Sequence, residues 1–113
     1  MRTQWMEDPR KLAALLHEAY RGMECVVNVR RGADKLGQAV LRVERVYVDD
    51  DGPDTRTLRV VGHLPGGDEH GTLALPLDGP AWAVLPDGVG AGPAQRCAVF
   101  SGPYQLNFVP IEE

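Results

Sequence analysis

Between residues 25 and 48 the side chains change face at every second position, and then the pattern slips by one. Cys25, Val27 and Val29 fall on one side of an extended strand, with Val26, Asn28 and Arg30 on the other. After the glycines at 32 and 37, Ala39, Leu41 and Val43 resume the apolar side, which predicts an antiparallel hairpin turning between Gly32 and Gly37. Beyond Val43 the apolar set moves to Val46 and Val48, so Glu44 and Arg45 both point outward. Two consecutive outward residues mark a β-bulge in a sharply bent strand, and a strand bent in this way curls a sheet towards a barrel.

The flanking segments complete the expectation. Asp8-Pro9 is an N-cap and first-turn signature, and Leu12, Leu15, Leu16, Ala19 and Tyr20 recur at helical spacing until Gly22. Trp5, just before the cap, is placed either as a staple on this helix or in a loosely ordered terminus. After the polar loop DDDGPD, Leu58, Val60 and Leu64 form the inner face of a third strand; if Val48 faces Leu58 and Val46 faces Val60, Tyr47 and Arg59 pair on the outer surface. Leu73, Leu75 and Leu77 alternate in a fourth strand, which Pro76 assigns to an edge or an irregularity. AWAVL is a short fifth strand, the Gly- and Pro-rich PDGVGAGPA is expected to be the most mobile internal segment, and CAVF and YQLNFV are two further strands. The chain therefore reads as a single domain over residues 1–113, mainly β with one N-terminal helix at about 9–21, a small bent antiparallel barrel at about 24–86 and an extra C-terminal strand pair at about 95–111. Leu15, Val27, Val29, Leu41, Leu58, Val60, Leu75 and Val84 are expected to share its core.

Composition narrows the function classes. The 113 residues, 43% hydrophobic and 25% charged, suit one globular domain with its own core, and no apolar run reaches bilayer length, so no membrane partner is expected. The opening MRTQWMEDPRK has no apolar secretory core, which favours a cytoplasmic location. A formal charge of −4 weighs against nucleic-acid binding by the whole surface. Charge is unevenly spread, however: eleven of the twelve Arg and Lys residues lie in 1–59, and Arg96 is the only base from Val60 onward, so one region is basic and another acidic.

Over residues 9–85 the helix leads into V-x-V-R-R-G-x-x-x-x-G ending at Gly37, and LALPLDGPAWAVL later supplies a strand, a tight turn centred on Gly79 and a final strand. This arrangement resembles the Sm-like branch of the small SH3-type barrels, and the resemblance implies one helix packed on a strongly bent five-stranded sheet. The order helix, strand, hairpin and LRVVGHLPGGDEHGTLALPL is also similar to the WYL domains of bacterial regulators. Where the Sm pattern carries RNA-contacting Asp and Asn, this chain has Val43 and Tyr47, and Asp78 stands where an Arg would precede the glycine. Thr57-Leu58-Arg59 occupies the strand that would hold the Trp-Tyr-Leu signature. The resemblance extends to the fold, and neither family's binding residues are carried over.

No catalytic constellation stands out. Ser101 is the only serine and lacks a G-x-S-x-G setting, while Cys25 and Cys97 sit in apolar strand-like runs that suit buried reduced thiols. GVGAG does not stand between a strand and a helix, so it is not a phosphate loop. His63, Asp68, Glu69 and His70 cluster in one turn, where a hairpin could bring two imidazoles and a carboxylate round one cation; without a tight ligand spacing, a solvated polar turn is preferred and no metal or other cofactor is expected. Asp49, Asp50, Asp51 and Asp54 read as an acidic turn, since Pro53 and the missing Glu at the twelfth position break a calcium loop. What remains is an arginine face: Arg30, Arg42, Arg45 and Arg59 fall at outward positions of three strands, interleaved with Asn28 and Tyr47 and with outward Val26, Val40 and Val61. The expectation is a non-enzymatic binding or regulatory module whose partner is another protein or its own copy, met through outward strand faces and edges. Binding residues would be Arg30, Arg42, Arg45, Tyr47 and Arg59, with nucleic acid as the alternative partner.

Overall fold

The computed structural model describes residues 2–6, 9–52, 55–77, 81–85 and 96–111, with the backbone alone for 2–6, 50–52, 55 and 81–85. Among the described residues, eight strands and one helix follow in the order β1 (Arg2–Met6), α1 (Pro9–Tyr20), β2 (Glu24–Arg31), β3 (Asp34–Gly52), β4 (Thr55–His63), β5 (His70–Pro76), β6 (Ala81–Leu85), β7 (Cys97–Ser101) and β8 (Tyr104–Pro110). Six of them, in the order β7-β8-β2-β3-β4-β5, make a continuous antiparallel sheet with described side chains, and β6 and then β1 extend it beyond β7. The order does not return on itself, so the sheet is open rather than closed into a barrel. It is nevertheless curled, because β5, last in the order, lies near both β2 and β8.

The pairing corrects the assignment of the C-terminal strands. They are not an appendage: β8 runs beside β2, with Val27 opposite Phe108, and β7 joins β8 to β6. Residues 2–6 form a strand opposite 81–85 rather than a loose terminus. The Asp8 cap, Asp78, the side chains of Trp5 and Val84, and the 86–95 loop with its expected mobility lie outside the described residues.

Alternation produces the core. Cys25, Val27 and Val29 of β2, Leu41, Val43 and Val46 of β3, Leu58 and Val60 of β4, Leu75 of β5, Cys97 and Val99 of β7, and Leu106 and Phe108 of β8 are all buried on one face. The helix completes it with Leu12, Ala13, Leu16 and Tyr20; Leu15, expected in the core, is only half-buried because the helix is rotated towards Ala13 and Leu16. Tyr20 stacks on Phe108 with ring centroids 4.6 Å apart and planes 9° from parallel, a pairing worth about 0.5–1.5 kcal/mol beyond its buried area.

The β2–β3 hairpin turns earlier than the glycine spacing predicts. Arg31 pairs with Asp34, leaving Gly32-Ala33 as a two-residue loop with Gly32 at φ 59°, and Gly37 belongs to β3. The β7–β8 hairpin turns in the same way through Gly102-Pro103, and the two tips touch where the Gly32 N–H donates to the Pro103 carbonyl at 3.3 Å. Pro76 is on β5, the edge strand, as its missing N–H requires.

Candidate functional site

The feature that organises the surface is the bulge in β3. Val43 pairs with Gly62 and Arg45 with Val61, so Glu44 is the extra residue, and the register that follows is the one the slipped alternation predicts: Val46 with Val60, Tyr47 with Arg59, Val48 with Leu58. The bulge presses the β3 backbone against β4. A side chain at Gly62 would collide with the Arg42 carbonyl oxygen and stand 3.0 Å from the Leu41 Cβ, so only glycine fits there.

The bulge lies where β2 ends. Glu24 is the last β2 residue opposite β3, at Arg42, and beyond it the β3 edge would be left without a ladder partner. His17 of α1 and the turn after the helix take over. Gly22 N–H donates to the Val43 carbonyl at 2.7 Å, Val43 N–H donates to the Met23 carbonyl at 2.9 Å, and Val46 N–H donates to His17 Nδ1 at 3.2 Å. Because Nδ1 accepts, the neutral His17 ring carries its proton on Nε2.

Two adjoining clefts follow this seam. One, of about 470 Å³, runs between Arg10, Ala13, Ala14, His17 and Glu18 on α1 and Arg45–Val48 on β3. The other, of about 520 Å³, continues over Arg21, Gly22, Arg42, Glu44, Arg45 and His63. Both are open. Four arginines against two glutamates give the groove a positive balance inside a chain whose formal charge is −4. Among the described residues, Arg21, Arg42 and Arg45 have no carboxylate within ion-pair distance. The Arg45 guanidinium lies 4.2 Å from the Tyr47 ring centroid, a cation–π contact that holds the fork over the ring.

The five residues expected on the arginine face do not form one site. Arg42, Arg45 and Tyr47 line the groove. Arg59 is opposite Tyr47 as expected, but its guanidinium goes to Asp49 Oδ2 at 3.1 Å and Thr57 Oγ1 at 3.2 Å, and it is Arg45 that covers the ring. Arg30 is opposite Lys35 and Gln105 near the hairpin tip, six residues along β2 from the groove end and thus about 20 Å away. Sequence reasoning missed Arg10, His17 and Arg21, because a helix face and a distant strand share a groove only after folding. The outer face of β2 and β8 carries an amide ladder instead: Gln105 Nε2 donates to Asn107 Oδ1 at 2.7 Å, and Asn107 Nδ2 donates to Asn28 Oδ1 at 2.8 Å.

A second cluster stands at the groove's far end. His63 and His70 are a cross-strand pair with ring centroids 4.2 Å apart, and Glu44, thrown outward by the bulge, brings Oε2 to 3.2 Å from His63 Nε2 and 3.0 Å from His70 Nε2. The sequence places both imidazoles in one turn, but the carboxylate comes from β3 rather than from Asp68 or Glu69.

The cysteines are free and buried, one on β2 and one on β7, and both border Tyr20. Burial pushes the Cys25 thiol up to about 11, with Glu24 adding to the shift. Cys97 is pushed up to about 12 by burial, against a hydrogen bond with Tyr20 that lowers it. The Tyr20 phenol is itself raised, first by burial and then by the two sulfurs beside it. Such thiols stay protonated near neutrality and are poor nucleophiles. Ser101 is also fully buried. No helix among the described residues is long and apolar enough to cross a membrane. No protein family, curated protein or solved structure gives a significant match to this chain.

Proposed function

We propose that the chain is a non-enzymatic binding or regulatory module that takes an acidic segment of another protein, or of its own copy, in the groove between α1 and β3. The observation that carries this reading is the state of Arg45: it lines both clefts, is exposed, has no carboxylate partner among the described residues and is held over Tyr47. An arginine fork already ordered on an aromatic ring loses little freedom when it grips a carboxylate, and Arg42 and Arg21 offer further donors along the same seam. The inert thiols and buried serine support a non-catalytic role, and two free cysteines support a reducing, cytoplasmic setting. An Sm-like or SH3-like fold for the curled sheet belongs to the same proposal, supported by the bent β3 and the approach of β5 to β2 and β8.

Fluorescence anisotropy with a labelled Glu-rich peptide and a labelled single-stranded oligonucleotide tests the reading. The peptide should bind, and Arg42→Ala and Arg45→Ala should each weaken it by about 10- to 150-fold, as expected for a charged hydrogen bond of roughly 1.5–3 kcal/mol. Arg45→Lys should not restore binding, because an ammonium cannot reproduce the fork. Binding of the oligonucleotide with a steep salt dependence, and not of the peptide, would shift the assignment to nucleic acid. Unchanged affinity in all three variants would remove the groove from the function altogether.

A further inference from the structure

We propose that Glu44, His63 and His70 form a binding site for a divalent transition ion of the zinc class. The proposal stands independently of the groove and its acidic partner, because its evidence is the convergence of three ligand atoms. They lie within 4.8 Å of one another, the only such triple among the described residues, and they combine two imidazole nitrogens with one carboxylate oxygen. Ligands bound tetrahedrally at about 2.1 Å stand about 3.4 Å apart. The two glutamate–histidine separations, 3.2 and 3.0 Å, are already close to that spacing.

The backbone sets the strand position from which each ligand reaches the others. His63 and His70 are fixed opposite each other at the end of the β4–β5 ladder, and the Leu64 N–H to Glu69 carbonyl bond at 2.8 Å closes the loop between them. Glu44 reaches them because it is the extra residue of the β3 bulge, and the bulge depends on glycine at position 62. A bulge that re-aims one side chain beside a cross-strand pair is a frequent way to build a site. Two nitrogens and one oxygen suit zinc, and also cobalt or nickel, whereas magnesium prefers oxygen donors and retains its water.

Three protein ligands leave at least one coordination position free. The side chains of Glu44, His63 and His70 are 52%, 43% and 49% exposed, so that position faces solvent. Glu44 and His63 also line the cleft that contains Arg42 and Arg45, so an anion could meet the metal and the arginines together. Bound metal would tie β3 to the β4–β5 hairpin.

The test uses the full chain without an affinity tag, stripped with chelator and titrated with Zn²⁺ by calorimetry. One ion per chain is expected, with no competition from excess Mg²⁺. His63→Ala and His70→Ala should each weaken binding by more than the roughly 10–100-fold that loss of an outer-shell partner costs. Glu44→Gln, which keeps the shape and removes the charge, should weaken it as well. Histidine ring NMR should show Nε2 of His63 and His70 moving on zinc addition while His17 stays still. Glu44 and His70 are exposed and His63 is half-buried, and circular dichroism should show that the variants remain folded. Absence of saturable one-to-one binding, unchanged affinity in both histidine variants, or equal competition by Mg²⁺ would each overturn the proposal and leave the cluster as a hydrogen-bonded trio.

Discussion

Of the three register shifts along β3, two fall within ten residues, at Leu36 and Glu44, and these two bulges have different consequences. The first throws out Leu36, between Gly37 opposite Val29 and Lys35 opposite Arg30; the second throws out Glu44. Leu36 is left 56% exposed near the hairpin tip, in the open. Around Glu44, by contrast, His17 of α1 and the turn after the helix make three hydrogen bonds with the β3 edge, two clefts open, and two histidines converge on the displaced carboxylate. An extra residue alone only bends a strand. It builds a site when a second element docks on the edge that the bend exposes.

The largest effect should come from the core between the two bulges. Leu41 is fully buried, and Leu41→Ala should cost about 2–5 kcal/mol in lost burial and residual cavity. A loss below about 0.5 kcal/mol in urea unfolding would mean that the two bulges do not share one packed face.

The glycines then separate the bulges. Gly62→Ala forces a methyl into the Arg42 carbonyl, which is rigid backbone, and should cost about 1–3 kcal/mol or more. Gly37→Ala meets only the Leu73 Cδ2 at 3.1 Å, the end of a flexible side chain that can rotate away, so its cost should be smaller. Equal costs would contradict the view that only the second bulge is locked. His17→Leu comes next. It deprives the Val46 N–H of its acceptor at a half-buried position, for about 1 kcal/mol, and amide exchange at Val46 should accelerate more than at Val60 in the adjacent strand.

The two bulges are not equally visible in the sequence. The one at Glu44 can be read because strict alternation from Leu41 and Val43 would bury Arg45 and expose Val46. Only an inserted residue keeps Val43 and Val46 both on the buried face. The one at Leu36 is hidden, since Gly32 and Gly37 together look like the limits of a loop and the two-residue turn at Gly32-Ala33 makes the same reversal. Local pattern also does not show that β8 pairs with β2 or that residues 2–6 pair with 81–85, because those ladders join distant segments. Helical spacing allows either Leu15 or Leu16 to face inward, and packing on β3 chooses Leu16. At the site, the arginines on strands are legible as outward positions; Arg59 turning to Asp49 and Glu44 reaching His63 and His70 depend on rotamers and on the bulge, which have no sequence period.

The smallest expected effect is at Leu36. With more than half of its surface already in water and no helix docked beside it, Leu36→Lys removes little burial and breaks no hydrogen bond. The change in stability should stay within about 0.5 kcal/mol, like that of other surface substitutions. Charge favours the replacement as well as opposing it, since Asp34 is near Lys35 at the same turn and Arg30 and Arg31 face them across the hairpin. The measurement sharpens the comparison most if it is made at two protein concentrations. A loss above about 1 kcal/mol that appears only at the higher concentration would mean that a second copy covers Leu36, because association stabilises by mass action and a monomer's folding does not depend on concentration. The tip bulge would then be a contact surface in its own right, and the contrast with Glu44 would be between two kinds of site rather than between a site and a bend.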